Sequence, residues 1–457
     1  MDAKLARERL GTEPVKKLMI RMAAPSIVAM LMQSLYNTVD SIFVARISMS
    51  SLSAITLAYP VQMFCGAIST GIGVGINSCI SRSLGEGDPD KPSRAAANGL
   101  LLGLVSVLVM VVFGMTCTNW FLRLFTNDEN VIHDGIIYIR TYCLLSFGAI
   151  YTQLTFSILQ GSGNMVIPLV CQIVGAASVF ALDPLFILVF NMGILGAAMA
   201  SGSAQIIAMT VGFYGVFVRN RRNLPVRLKG FKPDGKIIKD ILVVGIPSAL
   251  TQATTSVVSG IVNRIVSGYG VNAISVYGAY NRISSLGILP VFGVTRGMNP
   301  ILGYSYGAKN RARFKQTRRF GLIAALVISS AVGLMFLLIP GTLLNMVKAT
   351  PEMRETGMTA FRILALSMFI SGVAIVLAQV FPPAKRSYFT MIYTILRQVG
   401  LLVPLCLLFS KLWGITGVWT GYVVTDYSAF FIVLGLNIWF NRKVLDKWET
   451  TKEEAAK

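Results

Sequence analysis

The sequence is short of most things that soluble enzymes use. It has one histidine, His133, and six cysteines (Cys65, Cys79, Cys117, Cys143, Cys171 and Cys406) scattered without a CxxC spacing. One histidine cannot make a typical metal site. Cysteines spread through apolar stretches read as small buried hydrophobes, not as disulfides or metal ligands. No GxxxxGKS or GxxxxGKT phosphate loop occurs, which argues against ATP as a direct energy source, and without HExxH or GxSxG no reaction centre is visible. No enzyme and no cofactor are expected. Charge is scarce too: 13% of residues are Asp, Glu, Lys or Arg, against about 25% in soluble proteins.

What is abundant is apolar. Hydrophobic residues make up 54% of the 457, mean hydropathy is +0.66, and runs such as 100–115, 321–339 and 401–408 sit in stretches long enough to cross a bilayer, which takes about 20 helical residues. Breaks at Gly, Pro and charge predict twelve spans, at 18–45, 53–82, 94–116, 132–159, 166–190, 193–218, 241–267, 273–304, 317–340, 355–381, 387–410 and 414–440. The fold class expected is all-α and integral to the membrane. The net charge of +21 would suggest nucleic acid in a soluble chain. Here most Lys and Arg fall at the termini and in the even-numbered loops, an asymmetry that places both termini in the cytoplasm of a cell-membrane protein. No nucleic-acid partner is expected, and the chain reads as a monomer in the lipid bilayer.

The basic stretch from Arg219 to Lys239 divides the chain. An offset of 222 then lays the first half on the second: Pro25-Ser26 on Pro247-Ser248, Gly75 on Gly297, Asn77 on Asn299, Ser83 on Ser305, Gly85 on Gly307 and Gly99 on Gly321. Register held over so long a stretch marks a duplication. The expected organisation is a six-helix bundle over 1–218, a basic cytoplasmic linker over 219–240, a second bundle over 241–441 and a tail over 442–457. An even number of spans per half gives the repeats one orientation, a plan found in secondary transporters.

Several stretches together carry a family resemblance: Ala24-Pro25 through Leu35-Tyr36-Asn37 to Asp40-x-Ile42-Phe43; Gly73-Val74-Gly75 through Ser81-Arg82 to Gly85-x-Gly87-Asp88; Asn299-Pro300-Ile301 to Gly307-Ala308-Lys309-Asn310; and Leu182-Asp183-Pro184-Leu185-Phe186-Ile187 with Gly193-x-x-Gly196-Ala197-Ala198. In these the chain resembles the multidrug and toxic compound extrusion (MATE) family, in its DinF-like and MepA-like branches. The resemblance implies a V-shaped pair of pseudo-symmetric six-helix bundles exporting drugs by alternating access, coupled to protons or sodium.

Ionisable groups deep in a bilayer cost about 2.5 to 3.5 kcal/mol on insertion scales, so Asp40 and Asp183 are the first candidates for chemistry. Helical spacing puts Gln33, Tyr36, Asn37 and Asp40 on one stripe. Asp183 precedes Pro184, which leaves the carbonyl four residues earlier without its amide partner. Neither acid has a counterpart in the second half, where the offset places Val262 and Pro404 or Leu405. That one-sidedness points to a cation-coupling site. Desolvation favours a neutral carboxylic acid and bound sodium a charged one; Asp40 and Asp183 would be metal ligands only under sodium coupling. The resemblance adds Gln33, Tyr138 and Ser201 as coupling candidates. Val179 stands where close relatives often have Asn, which removes an oxygen ligand and favours protons.

Asp426, a third buried acid, is expected to pair with Arg282, Arg296 or Arg397. Candidates for an organic-cation wall are Tyr36, Tyr59, Met63, Phe64, Phe156, Tyr277 and Tyr280, because aromatic faces attract cations and Met adapts its shape. Prolines within spans break a backbone hydrogen bond and permit bending, and Pro25 and Pro184 are the hinge candidates. The function expected is a multidrug efflux antiporter for organic cations. The rival is a lipid-linked oligosaccharide flippase or exporter of another non-cationic compound, favoured by the second-half arginines.

Overall fold

The computed structural model describes residues 4–44, 49–221, 224–227, 231–347 and 349–448; the side chains of 4, 5, 36–44, 49, 50 and 52 lie outside the description. Twelve long helices run through it, with no strand among the described residues. They are α1 (Val15–Val44), α2 (Met49–Glu86), α3 (Lys91–Thr116), α4 (Glu129–Gly161), α5 (Val166–Pro184), α6 (Gly193–Tyr214), α7 (Gly235–Ser267), α8 (Val271–Gly307), α9 (Arg311–Leu338) and α10 (Pro351–Ala378), followed by α11 (387–412) and α12 (415–440), which join at non-helical backbone at Trp413 and Gly414. Short helices cover Lys4–Thr12, Thr118–Arg123 and Pro340–Met346.

Among the described residues, ten helical segments are apolar and long enough to span a membrane. The last of them, Ser387–Leu445, contains both α11 and α12. The remaining helix, α8, falls outside that group; Arg282 and Arg296 interrupt its apolar sequence, yet it runs unbroken for 37 residues. The twelve spans read from the sequence are thus all present.

The chain divides into two compact units, one made of Met1–Glu13 with Val28–Ala249 and the other of Pro14–Ile27 with Leu250–Lys457. The start of α1 therefore packs with the second unit and the start of α7 with the first. In the first, α2 packs on α3 and α4, α4 on α3 and α6, and α5 on α6; the second repeats this with α8 on α9 and α10, α10 on α9 and α12, and α11 on α12. The duplication is thus expressed in packing as well as in sequence.

The repeat sites two equivalent helix crossings on small residues. A methyl group on Gly71 of α2 would stand 2.6 Å from the carbonyl oxygen of Gly245 on α7, and one on Gly293 of α8 would stand 2.7 Å from Cα of Ile27 on α1. The offset of 222 carries Gly71 onto Gly293 and Ile27 onto Ala249, which also touches the Gly71 site. In lipid there is little hydrophobic drive between helices, so close backbone approach supplies the attraction. The motif around Gly85 and Gly307 is a turn with a cap. Gly87 takes φ +82° and Lys309 takes φ 50°. Asp88 then accepts from the backbone N–H of Asp90 and Lys91 at 3.0 and 2.9 Å, while Asn310 accepts from that of Arg313 at 3.0 Å.

Candidate functional site

Inside the first unit lies a cavity of about 190 Å³. Gln33 of α1, Ser69 and Thr70 of α2, Tyr142, Thr152, Gln153 and Phe156 of α4, Gln172 of α5 and Gln205 of α6 line it, with Cys65, Cys171 and small residues between them. Its lining is rich in amides and hydroxyls and, among the described side chains, contains no acidic or basic one. The small residues Gly175, Ala176, Ala204 and Ala208 keep the α5 and α6 walls back from the centre.

Topology sets what lies beyond one end of this cavity. On α5 the positions Gln172, Ala176, Val179 and Asp183 follow one face, and Asp183 comes seven residues, or about 10 Å, past Ala176. Asp183 and Val179 are both fully buried, at 0% exposure. After Pro184 the helix widens into a π turn, Leu185–Val189, a feature frequent at functional sites. α6 starts at this end and carries half-buried Ser201 one turn before Gln205. Buried Tyr138 sits one turn before Tyr142 on α4 and accepts a 2.7 Å hydrogen bond from the Gln62 amide of α2. Asp183, Ser201 and Tyr138 thus lie beyond the same end of the cavity, on three of the five helices that wall it.

Gln33 and Phe156 line the cavity directly. Tyr36, Asn37 and Asp40 continue the Gln33 stripe of α1, and their side chains lie outside the described residues. Tyr59 and Phe64 are exposed on α2 and Met63 is half-buried. Tyr277 and Tyr280 instead belong to the core of the second unit. The Tyr277 and Tyr422 hydroxyls lie 2.8 Å apart, and Tyr280 packs edge-on against Phe336 and Phe361. Pro25 lies within α1 and Pro184 ends α5. Three glutamines of the cavity, Gln153, Gln172 and Gln205, were missed by the sequence reasoning. The signal was there: an amide in an apolar span needs a polar partner or water.

The second unit holds the ion pair expected for Asp426. Arg397 donates to its Oδ1 from Nη2 at 2.6 Å and from Nε at 2.9 Å, and Ser367 donates to Oδ2. Arg397 belongs to a π-helical stretch of α11, Leu396–Leu402, and Gln398 beside it reaches Thr255 at 3.0 Å. The expected partner set narrows to Arg397, and the carboxylate is buried with its charge matched.

A membrane protein of twelve helices in two like halves, with a buried carboxylate at one end of a polar cavity, has the architecture of a secondary transporter. Comparison identifies which. The MatE family model matches residues 25–185 and again 247–408, and the chain belongs to that family of transporters. It is 23% identical over 440 residues to the multidrug export protein MepA of Staphylococcus haemolyticus (strain JCSC1435), covering 94% of this chain and 95% of that one. Its fold matches, with a TM-score of 0.90 and 25% identity over 99% of both chains, a crystal structure of MATE in the bent conformation. It also matches, with a TM-score of 0.90 and 24% identity over 97% of this chain and 98% of the other, a MOP superfamily transporter from Pyrococcus furiosus Vc1 (DSM3638) described as having a binding pocket of reverse polarity that suggests a different function.

Proposed function

We propose that the chain is a multidrug exporter that moves organic cations out of the cell in exchange for protons, with sodium as the alternative coupling ion. The observation that carries this reading is Asp183, wholly buried on α5 beyond one end of a cavity lined by glutamines and hydroxyls. A carboxylate inside a membrane is costly, and its presence points to a cation that binds and leaves. Amides and hydroxyls order water without trapping a charge, which suits a route for protons. At about 190 Å³ the cavity admits water and small ions but is below the roughly 300 Å³ minimum of drug-sized pockets. The drug therefore contacts other surfaces, where exposed Tyr59 and Phe64 offer π faces to a cation. Fully buried Val179, one turn before Asp183, offers methyl groups where sodium would need oxygen, and so favours protons. The name of the MepA relatives supports a multidrug substrate range.

Coupling follows if Asp183, with Asp40 on α1, is neutralised from the outside as the drug leaves and gives up its ion inside before another drug binds. Because ion and drug favour different states of the carrier, downhill ion flow drives uphill export. By the excess of Lys and Arg in its even-numbered loops, the chain sits in the cell membrane with both termini in the cytoplasm. The test is transport of a cationic dye by purified protein in liposomes, under proton and sodium gradients imposed separately. Asp183→Asn and Asp40→Asn should each abolish gradient-driven export while dye binding persists; undiminished export by both variants removes the carboxylates from coupling.

One observation favours a second reading, export of an anionic lipid-linked compound. Arg264, Arg282 and Arg362 are exposed on the second unit, a positive load that attracts an anionic headgroup. Purified protein that binds an undecaprenyl-linked ligand and no cationic dye would establish this reading in place of the first.

A further inference from the structure

An apolar groove of about 400 Å³ runs between α9, α10 and α12, lined among others by Ile323, Leu326, Phe369, Val373, Tyr427 and Phe430. It is open to its surroundings, with Ile323 49% and Leu326 51% exposed. One face of α9 joins it to cations. Lys315, Arg319, Ile323 and Leu326 follow the helical stripe i, i+4, i+8 and i+11, so Arg319 precedes the groove by one turn, about 6 Å.

The cations at this mouth outnumber the acids. Lys315 lies 3.9 Å from Asp446, whose same oxygen is already held by Arg311 at 2.5 Å. Arg318 donates at 2.7 Å to the neutral Asn441 at the end of α12, the helix that carries Tyr427 and Phe430. Arg319 is exposed. Nearby on α12, Trp439 is 40% exposed beneath the Arg386 guanidinium, the kind of side chain that marks the edge of the hydrocarbon region.

We infer that this groove is a phospholipid site, with one acyl chain between α9, α10 and α12 and an anionic headgroup on Lys315, Arg318 and Arg319. The groove alone does not select a lipid, since an acyl chain gains little by leaving other chains. The cations supply the selection, and they also set the depth, because they sit one turn from where the apolar lining starts. A soluble anion matches the mouth and nothing below it; a neutral lipid matches the groove and nothing above it.

The test is native mass spectrometry of the delipidated full-length protein titrated with phosphatidylglycerol, phosphatidylcholine or inorganic phosphate. Phosphatidylglycerol should be retained preferentially, and inorganic phosphate should not displace it. Arg319→Gln combined with Lys315→Gln should lower its retention roughly twenty-five-fold, at about fivefold per surface cation, and leave phosphatidylcholine unchanged. Arg319→Lys keeps the charge and should keep the lipid. Leu326→Trp, filling the groove, should lower retention of both lipids. Equal retention of the two lipids by the unaltered protein, displacement by inorganic phosphate, or full retention by Leu326→Trp would each overturn the assignment. Circular dichroism of every variant verifies the fold. If the double variant does not fold, Arg319→Gln alone decides, with a fivefold loss expected and no loss counting against the site.

Discussion

Gly71 of α2 and Gly245 of α7 meet backbone to backbone: a methyl group on either would come within 3 Å of the other's carbonyl oxygen. Gly293, its repeat equivalent on α8, makes the same kind of approach to α1 at Ile27. A side chain at these crossings meets backbone that has nowhere to move. Gly71→Val and Gly293→Val should each destabilise the protein by about 1 to 3 kcal/mol, the usual cost of overpacking, whereas Gly435→Ala, where nothing lies within 4 Å, should cost only what is typical of a surface change. Thermal unfolding in detergent reads the difference.

Filling the cavity separates its role from drug binding. Ala208→Phe projects a ring into the space between α4, α5 and α6 that Gln153, Gln172 and Gln205 border. Gradient-driven export in liposomes should fall severalfold, with dye affinity of the detergent-solubilised protein unchanged. Parallel loss of both would make the cavity part of the drug site.

The Arg397–Asp426 pair joins α11 to α12 within the second unit. Its carboxylate accepts from Arg397 and Ser367, so removing one partner leaves the other's charge in an apolar core. Arg397→Leu should destabilise by about 3 to 5 kcal/mol, and the double change Arg397→Leu with Asp426→Leu by much less, because desolvation offsets most of the attraction within a buried pair. Melting midpoints of the two singles and the double decide it. Proton dependence of export in a folded double variant should match that of the unaltered protein.

The turn before α3 makes a pH-dependent prediction. Burial works against the charge on Asp88, but the backbone N–H groups of Lys91 and Asp90 and the charges of Arg94 and Lys91 hold its carboxyl below the usual carboxylate range. A lowered folded-state value means this stabilisation is complete above the ordinary aspartate value of about 3.9 and is lost as pH falls through the lower folded-state value. Asp88→Asn should therefore narrow the difference in melting midpoint between pH 7 and pH 3, by a small amount because the group is only half-buried and solvent screens it. Gly87→Ala, at φ +82°, should cost more, about 1 kcal/mol or above, at both pH values.

The duplicated plan was legible because lipid imposes it. Every backbone polar group must be satisfied within a span, so apolar length, the breaks between runs and the Lys and Arg between them report twelve helices directly. Even α8, whose arginines lower its hydropathy, was read as a span from the breaks at Gly, Pro and charge, and it also lies in register with α2 at an offset of 222. Asp183 stood out for the same reason: a carboxylate before a proline in an apolar run is costly unless it is used. Gln153, Gln172 and Gln205 did not stand out, since an amide in a span is cheaper than a charge and its neighbours are hidden until helices pack. Tyr277 and Tyr280 looked like wall residues from their chemistry, and only packing shows them seated among Phe336, Phe361 and Tyr422.

By itself, then, the sequence determined the number of helices, the repeat that relates them and the acids worth suspecting, because each of these is a property of one helix and its solvent. Which of three arginines meets Asp426, which glutamines share a cavity and which stretch of α1 packs with which unit were decided only by tertiary structure. Those are relations between helices, set by close packing at distances that local composition does not encode.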